Sequence, residues 1–264
     1  MPTGIGIGSA GQVFGKPLSL SRECDAQYCL EFDGIAESTY SAPTWPFGTD
    51  DFTISIWFKT PDVTGGGAQQ DLFGTYAVDP ATDSQFQIGL DATGKVFFAS
   101  NLTGWTHTFT AFTPVNDTWT HIVYSIDRSG NAVWYGDVTT TSSLDISANT
   151  INLTDGTSYT GMAGGLSVNK FEGRLADVAQ WSKALTATEV QEYYDNTIGS
   201  PKMCANTALS TASTLQGWWR MMNPSGTFDT IIRNEGIGEL GPSMAYNIIT
   251  FNMNASNVIT DYPS

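Results

Sequence analysis

The stretch Phe171–Tyr194, FEGRLADVAQWSKALTATEVQEYY, begins like a strand and ends like a helix. Its first half is a short apolar run that carries Trp181, a side chain able to bury ~200 Å2. In its second half Thr186 is followed three residues later by Glu189, and Val190, Tyr193 and Tyr194 form a short apolar stripe. A threonine and a glutamate at that spacing cap each other's backbone amides, so a helix starts here. One acid, Asp177, interrupts the apolar run. It reads in three ways: a catalytic carboxylate, a metal ligand, or a strand acid that is solvated or hydrogen-bonded.

Working outward, the rest of the chain has the period of strands. In DDFTISIWFKT, Phe52, Ile54, Ile56 and Phe58 share one face, and Thr53, Ser55 and Trp57 the other. TWTHIVYSIDRSGNAVWYGD reads as a hairpin, with Trp119, His121, Val123 and Ser125 alternating against Thr120, Ile122, Tyr124 and Ile126. Residues 85–100 form a second hairpin around Thr93-Gly94, and YCLEFDG ends in the turn signal Asp33-Gly34. Residues 137–160 are Thr/Ser-rich and suit edge strands and loops, and TLQGWWRMM is strand-like again. About ten to twelve short strands follow at intervals of roughly 8–15 residues. No strands alternate with helices, so a parallel sheet is disfavoured. The predicted fold is all-β, an antiparallel two-sheet jelly-roll sandwich with one short helix. Three parts are expected: a Gly-rich arm over 1–20, the sandwich over 21–223, and a C-terminal extension over 224–264.

Composition narrows the function classes. Of 264 residues, 41% are hydrophobic and only 14% charged, with 8 Trp, 14 Phe and 10 Tyr. The formal net charge is −15, which repels nucleic-acid backbones and anionic membrane surfaces. No window approaches the roughly 18 apolar residues of a membrane span. The N-terminal stretch MPTGIGIGSAGQVFGKPLSL lacks the charged start and apolar run of a secretory signal. It also has no periodicity to order it, and a Gly-rich arm of this kind is expected to thread into neighbouring subunits. The three cysteines, Cys24, Cys29 and Cys204, are too few for a disulfide framework and are expected to be reduced. No Cys/His spacing suits zinc.

The order of motifs is informative as a set. LEFDG, DFTISIWFK, FGT, IGLDATGKVFF, TWTHIVYSIDRSGNAVWYGD and FEGRLADVAQWSKALTATEVQEYY follow one another over residues 28–196. This series resembles the concanavalin A-like lectin/glucanase superfamily, and more closely its laminin-G-like, pentraxin-like jelly-roll branch. The arm and the WWRM tail are similar to lectin-like structural proteins of phages. The resemblance implies a sandwich whose helix plugs one end. It leaves open an enzyme, a lectin or a structural module, since fold does not set function.

The residues weigh these classes. A glycoside hydrolase needs two carboxylates facing each other across a sugar. Glu31-Phe32-Asp33 lacks a third acid, and Glu172 and Asp177 fall on opposite faces of a regular strand. His121 lies in a hairpin strand and reads as packing, and no nucleophile elbow is present. The chain is therefore expected to be no enzyme. A glycan site would use aromatic faces and amide or imidazole donors in loops. Trp45, Asn101, Trp105 and His107 fit that description. A structural calcium, which such modules often hold, would take Asp33 and Asp177 if their strands are adjacent. The expected role is a non-catalytic structural protein of a phage particle surface, such as a decoration, fibre or spike component, that can adhere weakly to cell-surface glycans. Its partners are copies of itself or other virion proteins, held through the arm. A free, extracellular carbohydrate-binding module is the alternative, and a glycoside hydrolase the third reading.

Overall fold

In a computed structural model of the chain, two antiparallel sheets face each other across one core. The structure describes residues 29–41, 48–76, 86–100, 108–110, 112–153, 159–164, 168–197, 209–219, 231–232, 248–251, 253, 255–259 and 263. In chain order the strands are β1 (Cys29–Asp33), β2 (Ser38–Ser41), β3 (Phe52–Lys59), β4 (Gln70–Tyr76), β5 (Phe86–Leu90), β6 (Val96–Ser100), β7 (Thr108–Phe109) and β8 (Thr120–Ile126). They continue with β9 (Asn131–Gly136), β10 (Thr139–Asp145), β11 (Tyr159–Met162), β12 (Glu172–Trp181), β13 (Leu215–Trp219), β14 (Ile231–Ile232), β15 (Ile248–Phe251) and β16 (Val258–Ile259). One α-helix, α1 (Ala187–Thr197), lies between β12 and β13. The first sheet has the order β10-β9-β8-β3-β12-β1-β16, with β13 also paired to β12. The second runs β14-β15-β2-β11-β4-β5-β6-β7. This is the two-sheet jelly-roll sandwich expected from the alternation. The strand number is higher than expected because elements as short as β7, β14 and β16 carry no readable period.

The alternation builds the core as expected. Phe52, Ile54, Ile56 and Phe58 of β3, with Ile122, Tyr124 and Ile126 of β8, meet Phe73, Phe86, Ile88 and Phe98 of the second sheet. Phe98 and Tyr124 stack across the gap with ring centroids 3.6 Å apart. Each buried aromatic removes ~150–250 Å2 from water, the main stabilising term of the sandwich.

The other face of the first sheet is also buried, and here the helix departs from expectation. It does not plug one end of the sandwich. It lies across the outer face of β8, β3 and β12. Trp181 packs edge-on against Tyr193 at 4.8 Å, and both belong to a second apolar cluster with Val123, Tyr135, Val190, Leu215 and Trp218. Trp218 and Trp219, neighbours in β13, thus enter opposite cores. The polar residues of this face, which a surface strand would show to water, bind the helix and its lead-in. Thr53 Oγ1 donates to Lys183 O at 2.7 Å and accepts from Leu185 N at 2.9 Å. Ser125 Oγ donates to Leu185 O at 2.9 Å, and Trp57 Nε1 donates to Thr197 Oγ1 at 3.0 Å. The predicted capping box forms: Thr186 N donates to Glu189 Oε2, and Glu189 N donates back to Thr186 Oγ1. Replacing Thr186 by Ala is expected to lower unfolding free energy by ~1 kcal/mol, read in urea titration.

Asp177 holds β12 in place. Ala176 pairs Trp57 and Ala179 pairs Ser55, so Asp177 and Val178 together oppose Ile56 alone. Asp177 is the extra residue of a β-bulge and takes a left-handed φ of 40°. Because one residue is taken out of the alternation, Leu175 and Val178 both face the inter-sheet core. Ala179 and Trp181 both face the helix. A regular strand would have turned Val178 outward.

Candidate functional site

The sequence candidates fall into two groups. Trp45, Asn101, Trp105 and His107 lie outside the described residues, as do residues 1–20, Cys24 and Cys204. Asp33 and Asp177 are described, and the structure does not bring them together. Asp33 pairs with Glu172 at the start of β12. Asp177 lies five residues further along that strand, about 15 Å away at the rise of a strand. One ion cannot bridge that distance, so the shared calcium site expected from adjacent strands is not formed. The strands are neighbours, as the expectation required, but their register separates the acids.

Each acid has a local role. Asp33 is exposed, and its Oδ1 accepts the amides of Ile35 and Ala36 at 2.8 and 3.0 Å, shaping the turn at Gly34, whose φ is +71°. Desolvation pushes its carboxyl up, and these amide bonds outweigh that and hold it below the usual range. Asp177 is buried. Its Oδ1 accepts Trp218 Nε1 at 3.1 Å and its carbonyl accepts the Tyr193 hydroxyl at 3.4 Å. The strand acid is thus hydrogen-bonded and not solvated, and it ties the bulge to β13 and to α1. Among the described residues no group of three or more His, Cys, Asp or Glu could hold a metal ion.

A serine–histidine pair does exist, under the helix. Ser55 Oγ and His121 Nε2 are 2.7 Å apart. The imidazole is fully buried, stacked on Trp57 at 4.7 Å, and burial lowers its pKa to about 3. Tyr193 and Tyr194 of α1 cover it. A substrate has no path to this pair, which is a packing element of the outer face.

Among the described residues, an open concave surface lies elsewhere, where β3 begins and β12 ends. It is a groove of ≈ 860 Å3 lined by Thr49, Asp50, Asp51, Arg128, Ser129, Ser147, Asn149, Thr150, Ser182, Lys183 and Thr214. Every lining side chain is polar, because the groove is made of turns at strand ends, where Asp, Asn and Ser bond to nearby amides. Asp127 Oδ1 accepts the amide and hydroxyl of Ser129 at 2.9 and 2.8 Å. Asp145 Oδ1 does the same for Ser147 at 2.9 and 2.7 Å. Arg128 fastens three segments: its amide donates to Asp51 Oδ1 at 2.8 Å, and its guanidinium donates to the carbonyls of Gly48 and Ile151 at 3.2 and 2.5 Å. Burial lowers the pKa of Arg128, against the pull of Asp51 and Asp50. Lys183 pairs with Glu189 at the start of α1. The result is a rigid rim of hydroxyl, amide and carboxylate groups, which can exchange hydrogen bonds with a hydroxylated ligand. The sequence reading missed these residues. Their turn signals were visible, but the sheet order that brings five separate turns to one end was not.

A family model described as the concanavalin A-like lectin/glucanases superfamily matches residues 34–191, more than half of the chain. The chain belongs to this superfamily. Solved structures with the same lectin-like fold include a native heptameric SAP-like pentraxin from Limulus polyphemus. It is 14% identical, with a TM-score of 0.50 over 63% of this chain and 80% of that one. A protein from Bacteroides ovatus described as carbohydrate binding is 12% identical, with a TM-score of 0.56 over 84% of this chain. This chain covers 57% of the Bacteroides protein, a little over half of its length. No curated protein matches by sequence. At these identities the likeness extends to the fold alone.

Proposed function

We propose that this chain is a non-catalytic, lectin-like binding module and that the polar groove holds a glycan. The observation that carries the reading is the groove itself, an open surface of ≈ 860 Å3 lined by Thr, Ser, Asn, Asp, Arg and Lys residues on hydrogen-bonded turns. Convergent polar groups of this kind exchange hydrogen bonds with sugar hydroxyls; the aromatic faces expected of a glycan site, Trp45 and Trp105, lie outside the described residues. The acids beside the groove support a binding role over hydrolysis. Asp51, Asp127 and Asp145 each accept a backbone amide. The hydrogen bonds from Ser147 keep Asp145 below its ordinary pKa, which suits an ionised acceptor and not a general acid.

The setting we propose is the surface of a phage particle, with copies joined through the Gly-rich residues 1–20. A low charged fraction of 14% and a net charge of −15 fit a protein that stays soluble at a particle surface and avoids nucleic acid. A free extracellular module is the alternative setting.

A glycan array, run with calcium and with chelator and paired with a mass measurement in solution, tests both parts. Binding to a defined sugar is expected, equal in both conditions because Asp33 and Asp177 are apart. Replacing Asp50 and Thr150 together by Ala should weaken it about tenfold, the equivalent of one or two hydrogen bonds. Absence of any glycan signal refutes the groove reading. A monomeric mass refutes assembly through the arm and favours the free module.

A further inference from the structure

The C-terminal segment runs beside the segment that opens the described fold, and it does so in both sheets. β1 and β2 follow each other in the chain but belong to different sheets, so the turn at Gly34 crosses a corner of the sandwich. β15 and β16 cross the same corner in the opposite direction. Ile249, Thr250 and Phe251 pair with Tyr40, Thr39 and Ser38 in the second sheet. Val258 and Ile259 pair with Leu30 and Cys29 in the first. The register slips by a single residue between the two sheets. Among the described strands, without this segment and the β14 that pairs with it, β1 and β2 would both be edge strands. Such edges carry a row of unpaired amides and carbonyls that takes up another strand.

The segment is held by few groups, and one of them is placed as a latch. Asn257 is 7% exposed. Its Nδ2 donates to Glu31 O at 3.0 Å and to Glu37 Oε1 at 2.5 Å. The other oxygen of Glu37 accepts the Asp33 amide at 2.7 Å. One carboxylate thus joins the turn after β1 to the C-terminal segment. Met253 and Val258 pack against the inter-sheet core but are only partly buried. A short segment with so little buried apolar surface opens before the core strands do.

We propose that the β1–β2 corner is a strand-accepting site for an antiparallel peptide, filled in this chain by its own residues 248–259 and latched by Asn257. Its partner, once the latch is lost, is the same segment of a second copy. Main-chain pairing supplies the affinity, and the Asn257 position supplies selectivity. Residues 220–247 tether the segment to β13, so its effective concentration at the corner is on the order of 1 mM. An added peptide therefore does not displace it from the native chain.

The test uses the full chain and a labelled peptide of residues 247–260. In native-state hydrogen exchange, amides of β15 and β16 should open about a hundredfold more often than those of β3 and β8. In Asn257→Ala, two hydrogen bonds are lost, one of them to a carboxylate, and this opening should rise by about a further tenfold or more. The peptide should then bind the variant about tenfold tighter than the native chain, and a scrambled peptide should bind neither. Ile259 stands opposite Cys29 in the ladder, a spacing suited to a disulfide. In a chain carrying both Asn257→Ala and Ile259→Cys, oxidation in dilute solution should lock the segment and abolish peptide binding. Reduction should restore it. The same lock should keep the variant monomeric at concentrations where the unlocked variant dimerises. Peptide bound equally by locked and unlocked chains, or by native chain and variant, overturns the inference. So does exchange of β15 and β16 only together with β3 and β8, a measurement on the native chain that needs no variant to fold.

Discussion

Replacing Asp177 by Val is expected to destabilise the protein by about 3–5 kcal/mol, although a sequence reader would judge it a good strand substitution. Two separate costs add. Asp177 has a φ of 40°, a region that Asp and Asn tolerate and a β-branched side chain does not, at about 1–3 kcal/mol. Valine also removes the carboxylate that accepts Trp218 Nε1 at 3.1 Å in a buried setting, worth roughly 1–3 kcal/mol. A valine would further favour a regular strand, in which residue 177 faces the core and Val178 is turned outward. Asp177→Asn keeps both an acceptor and the left-handed backbone, so it is expected to stay within about 1 kcal/mol of the native chain. Urea denaturation of the two variants checks this. A valine variant as stable as the asparagine one would mean that the bulge does not govern the register of β12.

The second large effect concerns pH. His121 is buried against Trp57, Tyr193 and Tyr194, and burial lowers its pKa from 6.5 to about 3. The unfolded chain therefore takes up a proton near pH 6.5 that the folded chain refuses until about pH 3. A depressed histidine contributes stability that is full above the unfolded pKa and is lost as pH falls. The slope approaches 1.4 kcal/mol per pH unit, so about 2 kcal/mol should be lost between pH 7.5 and 5. Asp137, whose carboxyl accepts the His121 amide at 2.9 Å, works the other way. Burial raises its pKa, so the folded state binds that proton first and gains stability as the pH falls through its range. In His121→Gln the amide can still reach Ser55, but the ring contact with Trp57 is lost. This variant is expected to be less stable at pH 7.5 and flat down to pH 5. Unfolding free energies at four or five pH values read both curves. An unchanged slope in the variant would show that His121 is not the group responsible.

Much of the sandwich was legible because its signals are local. The alternation of Phe52, Ile54, Ile56 and Phe58 reports a face directly, and the Thr186–Glu189 spacing reports a helix start. The chemistry of Ser55, Trp57 and His121 was not legible in the same way. His121 reads as a packing residue from its strand position, but nothing in β3 or β8 signals that α1 is the element that covers it or that Ser55 is its partner. The strand after Phe171 misled for a related reason. A period of two was assumed through Asp177, and a bulge breaks that period without leaving a distinctive residue in the sequence.

The groove shows the same limit from the functional side. GTDD, DRSG and SANT each look like an ordinary turn between strands. They become one surface because β3 pairs β8, β8 pairs β9 and β9 pairs β10, which brings their ends to the same side. By itself the sequence determined the class of fold, the faces of its long strands and the cap of its helix, since each depends on residues a few positions apart. Only the tertiary structure decided which acids meet, which histidine is sealed from water and which turns share a groove. Those outcomes depend on pairings between residues as distant as Arg128 and Gly48, or Asp177 and Trp218, and such pairings are set by the packing of the whole sandwich.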